Sequence, residues 1–464
     1  MIFRVAVLLL MAMLNAFAFE NSAESFPEFV DFNGRYRPLN SMENEVANAL
    51  CEKKKCVGLR PAALVQRIRN GSADSAPVFR INRATTVDIL HLDPERRTFM
   101  RKEFEPTRSL LKQYAEREDS RPLTQELIRL NYALDLYDSI QSDNFWQKIS
   151  VEREDVVPQR LRQLVAERAY LRWNLPFVSW ILTCIAFALS LLALWKKNVF
   201  WKSAWVTQSL VTLCFAGIFI WRAVVENHLP LTSLYEMLLV LVLGISFLGV
   251  VVSVKFGLQA FLAFASGMCL VLSLVMRSAL LGDSFAMAPM QLMNSPFWLS
   301  LHVFTIASGF CVLILSSLLA HVMLFSRVLK KKLPMETQKL LFSMLGIGFA
   351  ISALGTLLGG FWADVAWGRF WGWDPKENAA LLVLLWVLIV MHLKAGNFVS
   401  HKTLEVLSAL LSVVIAFCLF GVNLLGVGLH SYGYSPRLLV AFLTFVICDV
   451  GIISVLGFFS RNQK

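Results

Sequence analysis

Three tryptophans of the 464-residue chain, Trp367, Trp371 and Trp373, lie close together and alternate with glycines. Asp374 follows, with a proline one residue and a glutamate three residues after it. This order is typical of a helix start with an N-cap and a capping carboxylate. A helix start does not explain the tryptophans. They are either the aromatic belt of a membrane protein or a shelf for a flat, apolar molecule such as a porphyrin, because a belt needs no fixed spacing and glycines allow close approach.

Two histidines flank this segment in the sequence, His302 before it and His430 after it. Neutral imidazole is the common axial ligand of haem iron, so the two could hold a porphyrin iron from both faces if their segments pack beside the tryptophans. Taken singly, His302 is better explained as a hydrogen-bonded contact between helices, and His430 as a hydrated loop residue. Together with the shelf, they indicate haem ligation.

The elements that must position these residues are membrane spans. Hydrophobic residues make up 56% of the chain and charged residues only 17%, against about 25% in soluble proteins, which excludes a purely cytosolic protein. A span needs about 20 apolar residues. Nine segments qualify: 176–195, 204–221, 232–254, 257–276, 297–325, 340–361, 378–393, 403–424 and 437–459.

The net charge of +11 belongs to the apolar half of the chain and therefore does not indicate a nucleic-acid-binding face. Alternate loops carry thirteen basic residues on one side: Lys196, Lys197, Lys202, Lys255, Arg327, Lys330, Lys331, Lys332, Lys339, Lys394, Lys402, Arg461 and Lys464. Five lie on the other: Arg222, Arg277, Arg369, Lys376 and Arg437. Because basic loops stay cytoplasmic, the tryptophan segment, His302 and His430 are predicted on the exported side. His321 and His392 fall near the cytoplasmic side.

The N-terminal part is predicted to be exported. Residues 1–18 combine Arg4, a short apolar run and an Ala-Phe-Ala site, typical of a signal peptide cleaved after Ala18, with an uncleaved anchor as the alternative. Residues 19–172 are polar and predicted to form a mainly helical exported domain, with helices over 107–118, 122–141 and 158–172. The fold class is therefore an all-α polytopic membrane protein of about nine transmembrane helices. Its transmembrane domain covers residues 173–464, with an external loop at 361–377.

Cys51 and Cys56 lie in the exported part, separated by four residues that include three lysines. An oxidising compartment favours a local disulfide. The lysines would also stabilise a thiolate, so a redox-active pair that acts on a partner cysteine is the second interpretation.

The pattern Trp-Gly-x-x-Trp-x-Trp-Asp-x-x-Glu, residues 367–377, resembles the tryptophan-rich signature of haem-handling proteins of cytochrome c biogenesis. Within that superfamily the chain is similar to the CcsA/ResC component of the system II machinery. Further matches are Pro-Leu-Thr-Ser-Leu-Tyr-Glu at 230–236, the segment 295–303 around His302, and 421–432 around His430. Residues 33–40, Asn-Gly-Arg-Tyr-Arg-Pro-Leu-Asn, resemble the domain that precedes the CcsA part in fused CcsBA proteins.

The resemblance implies a membrane subunit that carries haem b as its cargo to the outer face and presents it to apocytochrome c for thioether attachment. It implies His302 and His430 as external iron ligands beside a shelf of Trp367, Trp371, Trp373 and Asp374. His392 corresponds to a membrane-embedded ligand, whose counterpart would come from a separate CcsB/ResB subunit. His321 is the fallback for that counterpart, although a buried contact between helices explains His321 better. Arg222 or Arg369 is a candidate for the haem propionates, because guanidinium suits carboxylates, with an interfacial anchor as an equal alternative for either.

The implied setting is the lipid bilayer of a bacterial inner membrane, with the exported domain and the tryptophan loop on the periplasmic side. Thiol-reducing proteins are further candidate partners, and nucleic acid is not expected. Whether the chain is part of a cytochrome c synthetase stays open. The alternatives are a transporter of another substrate, with histidines as proton relays, and a haem-containing membrane oxidoreductase.

Overall fold

The structure, a computed structural model, describes residues 29–32, 35–51, 56, 58–115, 122–142, 148–149, 158–226, 228–277, 296–331, 333–334, 336–425 and 436–460. The chain divides into two compact units, one within residues 11–174 and one within residues 175–464. The predicted signal peptide, residues 1–18, lies outside the described residues.

The N-terminal unit is mainly helical with two small antiparallel sheets. Its helices are α1 (Leu39–Cys51), α2 (Pro61–Arg69), α3 (Ala84–Ile89), α4 (Arg108–Ala115), α5 (Pro122–Gln141) and α6 (Pro158–Trp173), with a 3₁₀ turn at Arg101–Thr107. One sheet has the order β2 (Arg35–Pro38), β1 (Phe29–Phe32), β5 (Lys148–Ile149), and the other pairs β3 (Phe79–Arg80) with β4 (Thr98–Phe99).

The core of this unit is built on α5. Its recurring apolar positions bury Leu127, Leu130, Leu134 and Tyr137, which confirms the helix that the sequence predicts over 122–141. The Tyr137 ring lies 5.4 Å from that of Phe79. The helix predicted over 107–118 begins as a 3₁₀ turn and is described only to Ala115.

The C-terminal unit consists of helices α7 (Leu175–Trp195), α8 (Lys197–Glu226), α9 (Leu234–Phe256), α10 (Gln259–Arg277), α11 (Pro296–Val328), α12 (Glu336–Trp367), α13 (Pro375–Ala395), α14 (His401–Ala409), α15 (Leu411–Ala416) and α16 (Pro436–Phe459). A π-helical turn at Phe417–Gly421 and a 3₁₀ turn at Val422–Leu425 follow α15. Within the described part of the chain, nine helical segments are long and apolar enough to cross a membrane, which confirms the nine predicted spans.

Helix α11 is the centre of this unit and packs against α9, α10, α12, α14, α15 and α16. Its closest neighbour is α12, and the approach depends on small residues. A Cβ at Gly355 of α12 would lie 2.7 Å from the backbone nitrogen of Ile306 on α11. Because no real side chain tolerates that distance, a glycine here lets the two backbones meet and fixes the register between α11 and α12.

The aromatic segment is more helical than the sequence analysis predicts. The predicted loop at 361–377 is in fact short: α12 continues through Trp367, and α13 begins at Pro375. Gly368 ends α12, because its left-handed φ of 68° lets its N–H donate back to the Asp364 carbonyl at 2.9 Å and so cap the helix. Residues 361–367 therefore project from a rigid helix.

Candidate functional site

A cavity lies at one end of the C-terminal unit, where the ends of several helices meet. Its walls come from the segment before α9, from α11, α12 and α13, from the loop between α12 and α13, and from the π-helical turn. It encloses about 820 Å³ of empty space, the open mouth included. The walls are mostly apolar, with Met237, Val303, Ile306 and Phe310 among them.

His302 lines this cavity from the second turn of α11. Its Nδ1 lies 2.8 Å from the carbonyl oxygen of Gly355, so the ring carries its proton on Nδ1 and donates it to that carbonyl. The lone pair is then on Nε2, the arrangement of a metal-ligating histidine oriented by a backbone carbonyl. A Cβ at Gly359 would lie 2.6 Å from Cε1 of the ring, so a glycine gives the imidazole its space.

Trp362 packs beside the imidazole of His302 and is not among the predicted site residues. The two rings are parallel within 5°, with centroids 6.2 Å apart, and Trp362 is buried. Trp367 packs edge-on against Trp362 at 4.6 Å. Trp362 lies on α12, which continues to Trp367. A prediction that extended this helix past residue 361 would have placed Trp362 on the helix face next to α11.

The predicted tryptophan shelf is only partly assembled at the cavity. Trp371 lines the cavity, and Trp367 reaches His302 through Trp362. Trp373 has 69% of its surface exposed and contacts Trp371 edge-on at 6.0 Å. Phe370, not predicted, also lines the cavity.

Asp374 and Glu377 shape the loop between α12 and α13. The Asp374 carboxylate accepts hydrogen bonds from the backbone N–H of Lys376 and Glu377, at 2.8 and 2.9 Å. Glu377 Oε2 accepts from the N–H groups of Gly372 and Asp374, at 2.7 and 3.2 Å. Both carboxylates thus act on the backbone, which explains the Asp-Pro-Lys-Glu segment as the predicted helix start.

The wall beside this helix start contains a lysine that the sequence analysis left without a role. Lys376, Cys418 and Leu419 line the cavity together. The Lys376 ammonium donates to the Leu419 carbonyl at 3.1 Å, within the π-helical turn. Such turns are common at functional sites.

The segment 230–236 forms the remaining wall and is held by a buried ion pair. Glu236 accepts from the backbone N–H of Thr232 at 2.7 Å and caps α9 with Ser233. Arg222 donates to Glu236 at 2.8 Å and to Glu226 at 2.7 Å, and its side chain is 1% exposed. Two carboxylates thus already pair with the Arg222 guanidinium, and Arg222 is not among the described residues that line the cavity, which disfavours it as a propionate ligand. Arg369 Nη1 lies 3.6 Å from Glu377.

The other predicted iron ligands do not meet His302 in the described part of the chain. His430 lies outside the described residues. His392 is exposed near the end of α13, and its Nδ1 bonds the Leu388 carbonyl at 2.8 Å. His321 is buried; its Nδ1 bonds the Ser317 carbonyl at 2.8 Å, and its Nε2 lies 3.3 Å from Asp449. That contact supports a helix-contact role for His321.

The predicted cysteine pair is placed in the N-terminal unit. Cys51 and Cys56 are joined by a disulfide with Cα atoms 5.6 Å apart, and they are 7% and 1% exposed. Their burial favours the structural interpretation over thiol exchange with a partner, which requires access.

Every described residue that lines the cavity falls between Leu231 and Leu419, a region that one known family matches. Residues 231–430 match the family described as cytochrome c assembly protein. This part of the chain belongs to the cytochrome c assembly protein family.

Individual proteins similar to this chain are described as cytochrome c biogenesis proteins. The cytochrome c biogenesis protein CcsA of Guillardia theta is 29% identical over 287 residues, which are 56% of this chain and 95% of that protein. CcsA of Chlamydomonas reinhardtii is 32% identical over 226 residues, 45% of this chain and 62% of that protein. CcsA of Daucus carota is 24% identical over 308 residues, 56% and 95% respectively. The chain is a CcsA-type, multi-pass membrane protein with a role in the maturation of cytochrome c.

Proposed function

We propose that the cavity binds haem and presents it to apocytochrome c, with His302 Nε2 as an iron ligand. The observation that carries this proposal is the hydrogen bond from His302 Nδ1 to Gly355, at 2.8 Å. It selects the tautomer in which Nε2 is the electron-pair donor, and it stops the ring from rotating. A histidine that only linked two helices would not need a parallel tryptophan and a glycine to hold its ring.

The other walls fit a porphyrin. The macrocycle is flat and apolar, and Trp371, Phe370 and the aliphatic residues of α11 offer aromatic and apolar surface. Among the described residues, no group of three or more His, Cys, Asp or Glu could hold a metal ion. Haem does not require such a group, because the porphyrin supplies four nitrogens and the protein only the axial ligands.

His430 is the proposed second external ligand. The π-helical turn that ends α15 leads from the cavity wall, at Cys418 and Leu419, toward the segment that contains it. Two imidazoles would protect the iron until the histidine of the apocytochrome replaces one of them. The expected reaction is addition: each cysteine S–H adds across a haem vinyl group, sulfur bonds one carbon, and the proton goes to the other.

The chain's contribution to that reaction is position. A porphyrin held through its iron by His302 and laid against Trp371 has its iron and its plane fixed relative to the incoming thiols, and positioning of this kind supplies large rate effects. His392 is exposed on α13, and we propose that it faces a separate CcsB-type subunit. The excess of basic residues in alternate loops supports a cytoplasmic location for the end of the unit that lies away from the cavity.

The test is maturation of a reporter cytochrome c in a bacterial host that lacks its own machinery, with a CcsB-type subunit co-expressed. His302→Ala should abolish holocytochrome, whereas His401→Ala, a change of a histidine without a proposed role, should not. Equal yields of holocytochrome from both variants, at equal protein levels, would refute the role of His302.

A further inference from the structure

We propose that Lys376 is the carboxylate-binding residue of the cavity and pairs with a haem propionate. The inference rests on the proposed function, since it takes the ligand to be haem. Lys376 takes the place of the candidate Arg222, whose guanidinium is paired with Glu226 and Glu236. The proposal also gives a role to a lysine that the helix-start motif alone does not require.

The first support is the charge distribution around the cavity. Among the described residues that line it, the titratable side chains are His302, Lys376, Glu377 and Cys418. Glu377 is engaged by the backbone of its own loop. Lys376 is thus the one lysine or arginine among the described residues of the cavity wall, and an anionic group of the ligand is best stabilised there.

The second support is the position of the lysine in its helix. Lys376 follows Pro375 at the start of α13, where the helix dipole favours anions and disfavours cations. It also lies on the side of the unit that carries few basic residues. A helix start of the form Asp-Pro-x-Glu needs no cation at this position, and a ligand carboxylate would give this one a function.

The third support is the way the ammonium is held. It donates to the Leu419 carbonyl at 3.1 Å, which directs the side chain along the cavity wall instead of toward bulk solvent. An ammonium has three N–H donors, so it can bond this carbonyl and a ligand carboxylate at the same time. A side chain that is already oriented loses less conformational entropy on binding.

The consequence is a second fixed point for the porphyrin. Ligation by His302 fixes the iron but leaves rotation about the Fe–N axis. A propionate bound at Lys376 removes that rotation. Since the vinyl groups lie on the opposite edge of haem from the propionates, Lys376 would determine which edge the apocytochrome thiols meet.

The experiment compares haem with haem dimethyl ester, in which both carboxylates are capped, on the purified full chain. Affinity is read from the absorption band that depends on His302. The wild type should bind haem at least about tenfold more tightly than the diester, the effect of one charge-assisted hydrogen bond. Lys376→Met should bind both porphyrins with the affinity that the wild type has for the diester. Lys376→Arg should keep the preference for haem, and Lys394→Met, at the far end of α13, should behave as the wild type.

The outcomes separate the two proposals. If the wild type binds neither porphyrin, the proposed function is wrong. If the wild type binds both equally, or Lys376→Met still prefers haem, haem binding stands and the role of Lys376 is refuted. If Lys376→Met binds neither porphyrin, Lys376→Arg decides: a retained preference supports the proposal, and equal binding overturns it.

Discussion

The imidazole of His302 and the indole of Trp362 lie parallel, with 5° between their planes and 6.2 Å between their centroids. One ring comes from α11 and the other from α12, so the pair exists only because these helices approach closely at Gly355. The Gly355 carbonyl also fixes the His302 tautomer. The close packing of α11 and α12 therefore also fixes the orientation of the His302 imidazole.

A methyl group at Gly359 should displace the His302 ring. Gly359→Ala would place Cβ at 2.6 Å from Cε1 of the imidazole. Overpacking of this kind costs about 1–3 kcal/mol, so haem affinity should fall roughly 5- to 150-fold in a titration followed by absorbance. Gly346→Ala is the matched control on the same helix, because its Cβ would meet only the flexible end of Met391 at 3.4 Å. Equal loss in both variants would mean that α12 is merely destabilised.

The aromatic ring of Trp362 should strengthen haem binding by packing beside His302. Trp362→Phe keeps an aromatic face beside His302, whereas Trp362→Leu removes it. An aromatic pair contributes about 0.5–1.5 kcal/mol beyond burial, so Trp362→Leu should weaken haem binding roughly 2- to 12-fold and Trp362→Phe should weaken it less. Haem titration combined with thermal melts separates ligation from folding. A Phe variant as weak as the Leu variant would argue against a stacking role.

Asp374 should be replaceable by another N-cap residue, because its carboxylate bonds the backbone of α13. Serine caps helices about as well as aspartate, whereas alanine costs about 0.5–2 kcal/mol. We therefore expect Asp374→Ser to retain most cytochrome c maturation and Asp374→Ala to lose a large part of it. Reporter holocytochrome, measured by haem staining, checks this. Loss of maturation in the serine variant would show that the carboxylate contacts haem or the apocytochrome directly.

His321 should contribute to stability and not to haem ligation. Its Nε2 lies 3.3 Å from Asp449, whose other carboxylate oxygen accepts from Ser412 at 2.5 Å. Loss of a polar contact to a largely buried group costs about 1–3 kcal/mol, so His321→Leu should lower the melting temperature without changing the haem spectrum.

The double variant His321→Leu/Asp449→Leu should recover part of the lost stability, because neither polar group is then buried alone. A His321→Leu protein with unchanged stability and an altered haem band would reverse this assignment.

The fold was largely predictable because it follows from the local pattern of apolar residues. Apolar length identified all nine spans, and apolar spacing with Pro122 and Pro158 identified α5 and α6. The end of α12 was not predictable from the same signals. Tryptophan and glycine suggested a loop from residue 361, whereas the helix ends only where Gly368 adopts a left-handed φ.

The candidate site was predictable in part. His302 and Trp371 could be selected from residue type and spacing, and both line the cavity. Trp362 and Gly359 act on His302 across the contact between α11 and α12, and a single sequence does not contain that register. The ion pair of Arg222 with Glu236 was not predictable for the same reason, because Glu236 lies on the next helix.

The absorption spectrum of the purified protein tests the central claim most directly. Wild-type protein incubated with haem should show the spectrum of a low-spin, bis-histidine b-type haem. His302→Gly should lose that spectrum, and added imidazole should restore it by occupying the space of the missing ring. A wild-type protein that binds no haem, or a His302→Gly spectrum identical to that of the wild type, would contradict the account.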